Sequence, residues 1–162
     1  STILSMTLNP LPFDGAARCA RGRLHSYISG AVPMPCNGNF FGKADWHQYY
    51  RDLYRPDARG WHDTQSAFGR LVEYARTRDI PLLVVNYPEL RALSPYPFRD
   101  ISNQIEALAG RYRLPYLDLL PTVTDQTPET LWVSLEDAHP NAKAFALFSE
   151  AIADWVAGHI RH

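Results

Sequence analysis

Apolar residues recur along this chain with two different periods, and the alternation between them predicts the fold class. Residues 2–8, Thr-Ile-Leu-Ser-Met-Thr-Leu, read as a strand stopped by Asn9-Pro10. Residues 44–54 place Trp46, Tyr49, Tyr50 and Tyr54 at helical spacing. Residues 61–78 form a stronger helix with Trp61, Phe68, Leu71, Val72 and Ala75 on one face, ended by Asp79-Ile80-Pro81. Residues 82–87, Leu-Leu-Val-Val-Asn-Tyr, are a continuous apolar run of strand length, the pattern of a strand covered on both faces. A third helix spans 97–112 through Phe98, Ile101, Ile105, Leu108 and Ala109, and 115–119 is a short strand. The last helix covers 141–160, with Phe145, Phe148, Ile152, Trp155 and Val156 along one face.

Strand and helix alternate, so the chain is expected to build βαβ units and a parallel sheet with helices on both faces. Nothing resembling a linker or a repeat divides residues 1–162, which read as one domain. The stretch 10–43 holds 4 of the 13 prolines and 5 of the 9 glycines, and reads as an irregular insertion with a short helix over 23–29. In open parallel sheets ligands sit beyond the carboxyl ends of the strands. Asn9, Asn86-Tyr87-Pro88 and the loop 120–139 all fall at that edge.

The third of these segments carries chemistry. Asp137 stands two residues before His139, and Pro140-Asn141 suits the first turn of the helix that follows. A carboxylate beside an imidazole fixes the ring tautomer and stabilises the imidazolium formed when the ring accepts a proton. Alone, such a pair reads more simply as helix-start charge plus a solvated histidine. Its position at the strand edge makes His139 a candidate general base.

Net charge near −1, with no basic stripe, argues against nucleic acid as a partner. No apolar run approaches the ~18 residues of a membrane span. His25, His47 and His62 are scattered without metal-ligand spacing and read as surface or core histidines. The aromatic stripe Trp46, Tyr49, Tyr50, Tyr54 reads as core rather than as a sugar platform. Cys19 and Cys36 bracket a loop-rich stretch. They could form a disulfide worth ~3 kcal/mol, or stand as two thiols. The first state suits a periplasmic or secreted protein and the second a cytoplasmic one, so localisation stays open. The chain opens on Ser1 rather than Met, which leaves an upstream segment open.

Asn9 after a first strand, the strand end Val-Val-Asn-Tyr-Pro, the strand Tyr-Leu-Asp-Leu-Leu and the closing Asp137-Ala138-His139-Pro140-Asn141 resemble the SGNH (GDSL-type) serine hydrolases. The resemblance covers about residues 1–10 and 60–160. It implies a flavodoxin-like three-layer αβα sandwich and hydrolysis of an O-acyl ester, on a carbohydrate or a small molecule, by a reaction that needs neither metal nor organic cofactor. It assigns His139 as base, Asp137 as orienting acid and Asn9 as an oxyanion donor. The family's common spacing is Asp-x-x-His, which selects Glu136; some branches, including acetyltransferase-like polysaccharide-modifying proteins, use Asp-x-His, which selects Asp137, the acid favoured here. No Gly-Asp-Ser occurs in the chain. A first strand, a first helix and the nucleophile are therefore expected on an upstream or companion N-terminal segment. Two alternatives stay open: an acyltransferase on the same scaffold, and a catalytically silent module binding a glycan or a protein.

Overall fold

The computed structural model describes residues 4–6, 45–135 and 137–159. Asn9, Cys19, Cys36 and Glu136 lie outside these residues, as do the 10–43 insertion and its expected helix over 23–29. The described chain is mixed α/β. Its elements run β1 (Leu4–Met6), α1 (Asp45–Leu53), α2 (Arg59–Arg76), β2 (Leu82–Asn86), α3 (Arg99–Arg111), β3 (Tyr116–Asp118) and α4 (Ala142–His159). Two 3-10 turns, Leu120–Thr122 and Pro128–Leu131, shape the connection that was expected to be plain loop.

The strands form one parallel sheet in the order β1-β2-β3. Leu4 registers with Leu82, and Asn86 with Asp118. Successive side chains of a strand point to opposite faces, and β2 uses both. Val84 joins Phe68, Val72, Phe98, Ile105 and Leu108 from α2, α3 and the turn before α3. Leu83 and Val85 join Leu120, Val123, Leu131 and Phe148 on the other side. A continuous apolar run without alternation is what such a doubly covered strand needs.

The aromatic stripe of α1 is core, as expected. Trp46, Tyr50 and Tyr54 are all buried. Trp46 and Tyr50 pack on Phe98 with ring centroids 5.2 and 5.0 Å apart, and Tyr54 packs on Trp61 at 5.1 Å. Along α4 the burial differs from the expected face. Ala144 and Phe148 are the fully buried positions, with Leu147, Ala151, Ile152 and Trp155 partly buried beside them. Phe145 is 52 % exposed. One residue is about a 100° turn of a helix, so burying Ala144 in the cluster with Leu120 and Leu131 turns Phe145 outward.

α2 and α3 return to the sheet by the same device. Asp79 and Arg113 both have positive φ, 53° and 56°. Each is followed by an apolar residue and a proline, Ile80-Pro81 and Leu114-Pro115, and then by a strand. The Ile80 N–H donates to the Ala75 carbonyl, and the Leu114 N–H to the Ala109 carbonyl, both at 3.0 Å. Those bonds satisfy carbonyls that the helix end leaves unpaired. Aspartate tolerates the left-handed region, whereas arginine pays its Cβ clash there. Arg113→Gly is therefore expected to stabilise the protein by about 0.5–1 kcal/mol. A urea midpoint that rises at constant slope checks this; an unchanged or lower midpoint contradicts it.

Candidate functional site

The segment after the second 3-10 turn folds back on itself before entering α4. Trp132 and Pro140 form an antiparallel bridge. The Val133 N–H donates to the His139 carbonyl at 3.0 Å, and the Asn141 N–H to the Leu131 carbonyl at 2.8 Å. Inside this loop the Asp137 N–H donates to the Ser134 carbonyl at 3.2 Å and lies 3.1 Å from the Ser134 hydroxyl oxygen. The loop is anchored from outside by Trp132, whose indole N–H donates to the Leu90 carbonyl at 3.1 Å. Leu90 lies in the segment that leaves β2 at its carboxyl end. The loop bearing Asp137 and His139 is thereby tied to the edge where parallel sheets bind ligands.

Asp137 and His139 meet. One carboxylate oxygen, Asp137 Oδ1, accepts the His139 backbone N–H at 3.0 Å and also contacts ring Nδ1. Nδ1 therefore carries the proton in the neutral ring, and Nε2 is the lone-pair nitrogen. The pair is half exposed, at 51 % for the His139 side chain and 46 % for that of Asp137. The His139 backbone N–H first, then its ring and the nearby Arg91 guanidinium, hold the Asp137 carboxyl below the usual carboxylate range. A lowered folded value means that the stabilisation is full above the unfolded pKa and is lost as pH falls through the folded one. Carbon-13 titration is expected to place Asp137 below 3.8, the ordinary value. The acid limb of a stability profile should weaken in Asp137→Asn. A midpoint at or above 3.8 contradicts the pairing.

Asn141 was read as first-turn helix; it is instead the cap, and α4 opens at Ala142. Its Oδ1 accepts the N–H groups of Lys143 and Ala144 at 3.0 and 3.1 Å. Asparagine is among the best residues at this position, because its side-chain oxygen satisfies amides that have no helical partner.

A second polar group that the sequence pattern did not single out lies beside the β2 exit. Glu89 is only 9 % exposed. Tyr50 donates its hydroxyl to Glu89 Oε2 at 2.8 Å, while Arg91 reaches Glu89 Oε1 at 2.8 Å. The Tyr96 hydroxyl accepts the Glu89 N–H at 3.1 Å. Burial, then the Glu89 carboxylate, push the Tyr50 hydroxyl far above its ordinary range; burial pushes Tyr96 up to about 12. Glu89, Tyr50, Tyr96, Asn86 and Ser102 line a small cavity. Asn86 donates to the Ser102 hydroxyl and to Asp118, and Asp118 also pairs with Arg99 at 3.0 Å. Asn86 thus closes the polar ends of β2 and β3. In the sequence Asn86 showed as a polar residue at a strand end and Tyr50 as part of the aromatic stripe, whereas no local pattern marked Glu89, Tyr96 or Ser102.

Among the described residues no group of three or more His, Cys, Asp and Glu could hold a metal ion. None of the described helices is long and apolar enough to cross a membrane. The fold and site together define a mixed α/β protein with a parallel sheet and an aspartate–histidine pair tied to the carboxyl edge of its central strand. No family model, no curated protein and no solved structure matches the chain.

Proposed function

We propose that this chain is the histidine-bearing part of an SGNH-type serine hydrolase that cleaves O-acyl esters of a carbohydrate or small molecule. The observation that carries the reading is the Asp137–His139 pair. Nδ1 is engaged by the carboxylate, and Nε2 has no protein partner among the described residues. Parallel strands with packing on both faces of β2 support the flavodoxin-like three-layer arrangement that the resemblance implies.

In this mechanism His139 Nε2 takes the hydroxyl proton of a serine supplied from outside these 162 residues. The serine oxygen attacks the acyl carbonyl, and Asp137 stabilises the imidazolium that forms. Asn9, a glycine of the partner segment and a backbone N–H are the proposed donors to the oxyanion. His139 then gives its proton to the departing alkoxide, releasing the alcohol and leaving an acyl-serine. Water attacks the acyl group as His139 takes its proton. Return of that proton to the serine oxygen frees the acid and restores the nucleophile.

The absence of Gly-Asp-Ser favours a second reading, a silent module of the same fold that binds a glycan or a protein. Fluorophosphonate labelling, joined to intact-mass and peptide mapping, separates the two. A labelled serine on an associated segment, lost in His139→Ala, supports the hydrolase. A lone 18.4 kDa species that never labels overturns it and leaves the binding module. Acyl transfer is distinguished by supplying acceptor hydroxyls and following where the acyl group goes.

A further inference from the structure

We propose that Asn141 is a positioning residue for the Asp137–His139 pair, beyond its role as a helix cap. Its side chain joins two separate pieces of chain. Oδ1 accepts from Lys143 and Ala144 in the first turn of α4. Nδ2 donates to the carbonyls of Thr130 and Trp132, at 3.0 and 2.9 Å, on the arm that precedes the pair. The backbone N–H of Asn141 donates to the Leu131 carbonyl on the same arm. Asn141 thus fastens the base of the loop, beside the Trp132–Pro140 bridge and the bond from the Val133 N–H to the His139 carbonyl, and His139 stands two positions from it. Lys143 Nζ adds a tie to the Thr130 hydroxyl at 3.2 Å.

A cap alone would not need this residue type. Serine and aspartate accept helix N–H groups as well as asparagine does. Neither carries the two amide donors that reach Thr130 and Trp132, and an aspartate would turn a carboxylate toward two carbonyl oxygens. Glutamine has the same groups on a longer stem. Asparagine alone offers an acceptor and two donors on a single methylene. Trp132 holds the same arm to Leu90. The clasp therefore refers the imidazole to both the α4 terminus and the β2 exit.

The kinetic consequence rests on the hydrolase reading above; the geometric one does not. Asn141→Ser keeps the cap and removes the two donors, so it is the informative variant. Nitrogen-15 spectra of the neutral His139 ring are expected to show the Nδ1–H form in the parent and a shift toward the Nε2–H form in Asn141→Ser. The Asp137 carboxyl should at the same time titrate closer to its ordinary value. The melting curve should move little, whereas Asn141→Ala loses the cap as well and melts lower. In the assembled enzyme kcat should fall ~10²-fold with KM held, the effect of a displaced catalytic group.

Parent-like tautomer and Asp137 titration in folded Asn141→Ser overturn the proposal and leave a cap only. Should that variant fail to fold, the parent still decides. Slow hydrogen exchange at the Asn141 side-chain amide supports the clasp, and exchange at the rate of free amide overturns it. A parent with the clasp and the Nδ1–H tautomer, but with no associated segment that labels with fluorophosphonate, sinks the hydrolase reading while leaving the positioning role intact.

Discussion

His139→Ala is expected to remove fluorophosphonate labelling and to lower ester hydrolysis about 10⁴-fold or more, the scale set by deleting or misorienting the base of a serine triad. Stability should stay within about 0.5 kcal/mol of the parent, because half-exposed surface positions away from the core tolerate truncation. Asp137→Asn is the sharper companion. It leaves a side chain of the same size, but an amide no longer stabilises an imidazolium, and it can present its NH₂ group to Nδ1. That selects the wrong tautomer, with Nε2 protonated and unable to accept from serine. A loss of about 10⁴-fold in kcat is expected here too. Steady-state kinetics of the enzyme assembled with its serine-bearing segment on a small acyl ester, with a thermal melt of each variant, checks both. Full activity in His139→Ala would remove the pair from the chemistry. A collapse in stability would assign it to structure instead.

The second large effect is expected in the core that supports the pair. Phe148 is 1 % exposed and meets Tyr87 edge-on, with ring centroids 5.2 Å apart. It joins α4 to the face of β2 that carries Leu83 and Val85. Phe148→Ala should cost about 3–5 kcal/mol, the sum of lost transfer energy and the cavity left behind. For a domain whose whole stability is of order 5–15 kcal/mol, that leaves a large unfolded fraction. Phe145→Ala, three residues earlier on α4 and 52 % exposed, should stay within about 0.5 kcal/mol. Chemical denaturation of the two variants side by side tests the orientation of α4. Equal losses would mean that the helix is docked on a different face.

Much of the architecture was legible because it is encoded by local periodicity. The run Leu82–Val85 without alternation announced a strand covered on both sides. Of the expected inner face of the third helix, Ile101, Ile105, Leu108 and Ala109 are buried on α3 and Phe98 is buried in the turn before it, while Ser102, which that pattern did not include, is buried with them. α4 was legible as a helix but not in its rotation, since it is apolar around most of its circumference. Periodicity there placed Phe145 on the inner face, and the buried neighbour is Ala144. Packing in the core cluster that holds Leu120, Val123 and Leu131 buries Ala144 instead.

The Asp137–His139 contact follows from sequence because the partners are two residues apart and one oxygen reaches both the backbone N–H and the ring. The surroundings of the pair do not follow in the same way. Trp132 reaches Leu90 across 42 residues, and Tyr50 reaches Glu89 across 39. No local pattern ranks one distant carbonyl or carboxylate over another. The chain by itself therefore determined the alternation of strands and helices, the doubly buried β2 and the chemical character of the acid–histidine segment. These depend on spacing along a few turns or a few strand positions. Only the tertiary structure decided that this segment is tied to the exit of β2, that Asn141 fastens the base of its loop and that Glu89 is buried beside Tyr50. Those contacts arise when the packed helices and the sheet bring remote polar groups together, and a buried group then bonds to whatever partner is within reach.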